Sequence, residues 1–298
     1  MANLIKQLND YMMQNGLSQV IVSRSIGISD GALSAWRKGK YKGDNENIDN
    51  LIESYLTRSG DAQVEMQTKD DFDFVETSVY NDIYRGVRQT DLRGEIRVIV
   101  GVSGIGKTTA LEHIKELNPS MILIKVYRGI RKNRFLQKLC KAAGVSDRGS
   151  FDDLFEELAE RLDGTSRLIV IDEAEHLPID AIDALRRLND FTRCGLVLCG
   201  LPMLLSMLQH NQAQYGYIYN RMAVSVILKP LMDDDLKELV STVLPSHANV
   251  LSWMDVCHGI GRDLRIILQE SQRIAELNGI TLDAKLIKTV KCSLGRIY

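Results

Sequence analysis

The segment GVSGIGKTT, residues 101–109, sets Gly101, Gly106, Lys107 and Thr108 at the spacing G-x-x-x-x-G-K-[ST]. Glycines at these positions let a backbone wrap an anion with its N–H groups turned inward, and a helix starting behind them adds a favourable dipole. Gly101, Ser103, Gly104, Ile105, Gly106, Lys107, Thr108 and Thr109 are therefore the expected cradle for the phosphates of ATP. Lys107 is expected to reach the β- and γ-phosphates, and the Thr108 hydroxyl to hold Mg²⁺. Further along, LIVIDEAEHL (168–177) is an apolar run ending in carboxylates. Asp172 at its tip is expected to bind Mg²⁺, directly or through water, and Glu173 to orient and polarise an attacking water. Glu175 reads as an acid satisfying a helix N-terminus.

These residues need a scaffold, and the surrounding pattern supplies one. IRVIV (96–100) reads as a buried strand running into the glycine loop, with a helix near 107–117 behind it. MILIKVY (121–127), LIVID (168–172), GLVLCG (195–200) and AVSVIL (223–228) read as further strands, separated by helices at 133–143, 151–163 and 179–191. Short apolar runs between amphipathic helices predict an α/β fold: a P-loop parallel sheet covered on both faces. After Pro230 the strands cease, and helices near 233–243, 250–257, 264–277 and 283–294 predict a small helical lid. Ahead of the sheet, residues 1–58 read as a helix–turn–helix domain, in which Ser18 and Ser29 cap helices and Gly27 turns between them. Residues 59–77 are acidic and weakly periodic and read as a linker. The expected organisation is 1–58, linker 59–77, core 78–230 and lid 231–298.

Formal charge is only −2 over 298 residues, so any nucleic-acid signal must be local. The five cysteines lack CxxC spacing and read as reduced core thiols. The start is too polar for a signal peptide, and no run approaches the ~18 apolar residues of a membrane span. These features predict a soluble cytoplasmic protein with no membrane partner.

The ordered segments KYKGDNENI (40–48), GVSGIGKT, LIVIDEAEHL, GLVLCG and DLRIIL (263–268) together resemble the AAA+ transposition activators, the family of the B protein of transposing phage Mu. The resemblance covers nearly the whole chain. It implies ATP-dependent self-association into helical filaments on double-stranded DNA, with little sequence preference. It also implies delivery of that DNA to a DDE-type transposase, which stimulates ATP hydrolysis; the compartment would then be the host cytoplasm. By the same resemblance, Arg221 would reach a neighbouring subunit's nucleotide site, and Arg265, with Arg262 as its alternative, would sense the γ-phosphate from the lid. Leu201 stands where such proteins carry Asn, Ser or Thr, a departure that implies slow hydrolysis.

Two regions are candidates for DNA contact. KVYRGIRKNRFLQKLCK (125–141) holds seven cations and no acid. Arg128, Arg131, Lys132 and Arg134 are the expected phosphate contacts, whereas Lys125 is expected to turn into the sheet's flank. In the helix–turn–helix, Arg37 and Lys38 lie on the would-be recognition helix, although that unit is near neutral. Two other functions fit the same sequence. One is a signalling or secretion-type ATPase whose helical N-terminal unit binds protein, and the other a repressor with a defined operator.

Overall fold

The structure, a computed structural model, describes residues 2–14, 18–41, 43–67, 73–165, 167–210 and 222–294. It divides into two units, Met1–Asp73 and Phe74–Tyr298.

The first unit holds helices α1 (Ala2–Gln14), α2 (Gln19–Ile26), α3 (Asp30–Arg37) and α4 (Asn45–Gln67). Gly27, at φ 75°, turns the chain after α2, and the Ser29 side chain accepts the Ala32 N–H at 3.2 Å to start α3. Leu4, Leu8, Val22, Leu33, Trp36, Ile48 and Ile52 meet in one core. Helix α4 runs on through Gln67, so the stretch read as a linker from residue 59 is helical at its start. Acidic composition and Gly60 conceal good helix formers there, Ala62, Glu65, Met66 and Gln67, and the helix continues past the glycine. Trp36 is fully buried and its indole N–H donates to Asp49 at 2.7 Å. Trp36→Ala is expected to cost this unit about 3–5 kcal/mol, measured as a lower denaturation midpoint.

The second unit is built on parallel strands β1 (Ile96–Val100), β2 (Ile122–Lys125), β3 (Ile169–Asp172), β4 (Leu196–Gly200) and β5 (Met222–Ile227). Their order is β2-β3-β4-β1-β5, so every carboxyl end lies on one edge. β1, β3 and β4 are buried at every residue, which is why they read as unbroken apolar runs. The exceptions are Asp172 at the tip of β3 and Arg97, whose guanidinium is satisfied by Thr90 and Glu95.

Helices α5 (Ser78–Arg93), α6 (Lys107–Leu117), α7 (Lys132–Ala143), α8 (Phe151–Leu162), α9 (Ile179–Thr192) and α10 (Met203–His210) accompany the sheet. The lid holds α11 (Asp233–Val243), α12 (Met254–Cys257), α13 (Gly261–Asn278) and α14 (Ala284–Ser293). The helix expected at 250–257 begins only at Met254, because the Asp233 carboxylate accepts the Met254 N–H at 3.1 Å and fixes the start there. Among the cysteines, Cys140, Cys194, Cys199 and Cys257 are core thiols as expected, but Cys292 is exposed. Burial pushes the Cys140 and Cys257 thiols up to about 11, which keeps them protonated. Among the described residues no helix is long and apolar enough to cross a membrane.

Candidate nucleotide site

β1 delivers the glycine loop to the sheet's carboxyl edge. A Cβ on Gly101 would lie 2.6 Å from Ile105 and 2.9 Å from Leu228, so only glycine fits between them. Gly104 and Gly106 take φ of 83° and 98°, the left-handed region open to glycine. Helix α6 starts at Gly106 without a side-chain cap, which leaves its first N–H groups facing the loop. Lys107 is 9% exposed, and its ammonium donates to the Gly101 and Val102 carbonyls at 2.7 and 2.8 Å. Burial draws the Lys107 pKa down, against the nearby Glu175 and Asp172 carboxylates, which favour its charge. The loop thus offers backbone donors and one buried cation, the donor set that fits a polyphosphate.

The acidic strand arrives two positions away in the sheet. Thr108 Oγ1 donates to Asp172 Oδ2 at 2.7 Å, so α6 and β3 bring the two expected Mg²⁺ ligands together. Among the described residues, no group of three or more His, Cys, Asp or Glu could hold a metal. Two hard oxygens suit an ion that draws its other ligands from phosphate and water, as Mg²⁺ does.

Glu173 follows in a left-handed conformation, φ 57°, that is costly for a non-glycine residue. Its N–H donates to Asp172 Oδ1 at 2.9 Å. Its carboxylate lies 3.3 Å from the Lys125 ammonium and 4.0 Å from His176. Lys125 therefore does not turn into the sheet's flank. β2 ends beside β3, and Lys125 at its tip is exposed and drawn across to Glu173. Glu175 likewise departs from the helix-end reading, since its carboxylate accepts the Leu201 N–H at the tip of β4, 3.1 Å away.

From the lid, Arg262 N–H donates to the Gly104 carbonyl at 3.0 Å and its guanidinium to Ser103 Oγ at 3.2 Å. The alternative lid arginine is thus the one seated on the loop, with Arg265 half-buried one turn further along α13. Arg221 lies outside the described residues.

The basic segment leaves the tip of β2 on this same edge. Arg128, Arg131 and Arg134 are exposed, while Lys132 is half-buried with its ammonium 3.7 Å from the centre of the Phe151 ring. In the first unit, Arg37 does not face outward as a free cation. It donates to Asn9 at 2.9 and 2.6 Å and to Gln19 at 2.9 Å, tying α3 to α1 and α2. Lys38 beside it is exposed.

A family model described as an AAA domain matches residues 91–208. The Mu-like prophage FluMu DNA transposition protein B of Haemophilus influenzae is 23% identical over 278 residues, 89% of this chain and 94% of that protein. The ATP-dependent target DNA activator B of Escherichia phage D108 is 27% identical over 260 residues, 86% of this chain and 82% of its own. Its counterpart from Escherichia phage Mu is 28% identical over 222 residues, 73% and 70% of the two chains. Among solved structures, the Aeropyrum pernix ORC2 protein in its ADPNP–ADP complexes superposes with a TM-score of 0.57 at 15% identity, covering 75% of this chain and 69% of that one. That likeness concerns the fold alone. With the phosphate loop, the acidic strand and the parallel sheet in this arrangement, the chain is an AAA-type ATPase, homologous over most of its length to the transposition B proteins of Mu-like phages.

Proposed function

We propose that this ATPase binds double-stranded DNA in an ATP-dependent and largely sequence-blind manner, assembles on it as helical filaments, and presents it to a DDE-type transposase. The observation that carries the reading is the exposed row Arg128, Arg131 and Arg134, which leaves the sheet beside the Glu173 carboxylate. The names of its homologues, DNA transposition protein and target DNA activator, support it.

At the nucleotide, Lys107 and the loop N–H groups hold the phosphates, and Glu173 takes a proton from the water that attacks the γ-phosphorus. Thr108 and Asp172 would hold Mg²⁺, which neutralises charge developing on the β- and γ-phosphates. Arg221 would complete the site of an adjacent subunit, and Arg265 or Arg262 would report the γ-phosphate to the lid. Leu201 at the β4 tip offers no side-chain donor, in keeping with slow turnover that partners accelerate.

One subunit offers few phosphate contacts. Each contact changes the salt slope of binding by about 0.9, so a lone copy holds DNA poorly at physiological salt. Repetition along a filament adds contacts, because each bound subunit raises the effective concentration of the next. Electrophoretic mobility of a DNA fragment, with and without ATP, tests the reading; equal shifts in both conditions would overturn it. Replacing Arg131 and Lys132 with alanine is expected to weaken binding about equally on all sequences and to flatten the salt slope. Loss of affinity on one sequence alone would contradict sequence-blind phosphate contact.

A second reading is supported by the first unit, where Arg37 is engaged internally and Val20 and Ile21 on α2 are 43% and 50% exposed. That surface suits a protein partner, as in a signalling or secretion-type ATPase. It predicts no mobility shift under any nucleotide condition.

A further inference from the structure

We propose that Glu175 is a positioning residue for ATP hydrolysis, acting through the backbone of Leu201 where the β4 tip has no polar side chain. β4 lies between β1, which runs into the phosphate loop, and β3, which carries Asp172 and Glu173. Its tip therefore sits behind the space that a terminal phosphate occupies. The residues there are Gly200, Leu201 and Pro202, and none has a side-chain hydrogen-bond donor or acceptor.

The tip is nevertheless held by a charged group. Glu175 Oε2 accepts the Leu201 N–H at 3.1 Å. Pro202 has no N–H, so Leu201 carries the last backbone donor before α10 begins. Gly200 completes the arrangement: a Cβ at that position would lie 2.1 Å from the same Glu175 oxygen. Three residues from two elements thus fit one contact, with Gly200 leaving the space, Leu201 donating and Glu175 accepting.

The location of Glu175 gives the contact its consequence. It lies in the short 3₁₀ turn Ala174–His176, which begins directly after Glu173. The turn that follows the catalytic carboxylate is therefore anchored to the neighbouring strand. Its charge also favours the Lys107 ammonium on the far side of β4. Glu173 is held in an unfavourable backbone conformation, and such a residue keeps its place only where its surroundings over-determine it. The Glu175–Leu201 contact is one of those restraints. Losing it lets the Glu173 turn and the β4 tip drift apart, and a displacement of about 1 Å at a reacting centre is worth on the order of 10²-fold in rate. The inference rests on the ATPase activity and holds whether or not the chain binds DNA.

The test compares Glu175→Ala, Glu175→Gln and Gly200→Ala in the full chain. Glu175→Ala is expected to lower kcat by roughly 10- to 100-fold while nucleotide affinity, read by fluorescence titration, stays near wild type. Glu175→Gln keeps an oxygen acceptor at the same reach and is expected to retain most of kcat. Gly200→Ala is expected to displace the carboxylate from the other side and reproduce the kcat loss. A second readout needs no nucleotide: hydrogen exchange at the Leu201 amide should quicken in Glu175→Ala and Gly200→Ala but not in Glu175→Gln. Wild-type kcat in Glu175→Ala, equal damage in Glu175→Gln, or unchanged Leu201 exchange in Glu175→Ala would each overturn the proposal. So would parallel losses of nucleotide affinity and kcat, the mark of a residue that only supports the fold.

Discussion

Replacing Lys107 with alanine is expected to abolish ATP binding and, with it, hydrolysis and nucleotide-dependent association with DNA. The side chain is buried at the mouth of α6, where its ammonium already bridges the Gly101 and Val102 carbonyls. It is thus preorganised at the point where β- and γ-phosphates arrive. Charge-assisted contacts of this kind contribute about 1.5–3 kcal/mol each. Two of them amount to about 3–6 kcal/mol, on the order of 10²–10⁴-fold in affinity. Fluorescence titration with a nucleotide analogue measures the first effect and a mobility shift with ATP the second. Undiminished nucleotide affinity in the variant would show that the loop binds without its lysine.

Glu173→Gln is expected to separate binding from turnover. The amide leaves Asp172, Thr108 and Lys107 untouched, so ATP should still bind. It cannot accept the proton of the attacking water, and single-turnover hydrolysis should slow by roughly 10²-fold or more. Complexes with DNA should then outlast those of the wild type. The substitution also removes the charge that faces Lys125 at 3.3 Å. Both partners of that pair are partly exposed, so its loss should leave the melting temperature nearly unchanged. Turnover at the wild-type rate would place the catalytic base on another residue.

The sequence made the phosphate loop and the strands readable for a physical reason. A parallel sheet buried on both faces leaves unbroken apolar runs, and a glycine loop between such a run and a helix has few other uses. Helix α5 was readable in principle: Thr77 caps it, and Val79, Tyr80, Ile83 and Val87 recur at helical spacing. Gly86 and the charges around it weakened the pattern, yet this glycine is where the helix closes on the sheet, since a Cβ there would lie 3.2 Å from Ile99. What sequence could not supply were contacts between side chains and distant partners. Lys125 meets Glu173, Arg37 meets Asn9 and Gln19, and Glu175 meets the Leu201 N–H. Residue type predicts the charge of each group but not the rotamer, and in each case the partner comes from a separate element. Lys125 in the sheet's flank, Arg37 as an outward cation and Glu175 as a helix-end acid all departed from expectation on that account.

Strand β1 finds neither of its neighbours among the residues made just after it. Ile96 pairs with Leu196 on one side and Met222 on the other. The loop's own bonds wait equally long: Gly101 N–H donates to the Gly200 carbonyl, and Leu228 N–H to that of Val100. A chain emerging from the ribosome therefore carries the phosphate-binding segment without either wall of its site until β4 and then β5 have been synthesised. Closure of such long-range pairings is slow, and the half-made sheet exposes the apolar edges that aggregate or recruit chaperones. ATP can stabilise the finished domain but has no site through which to guide its early assembly, and a chain interrupted before β5 would lose nucleotide binding although its whole phosphate loop had been made.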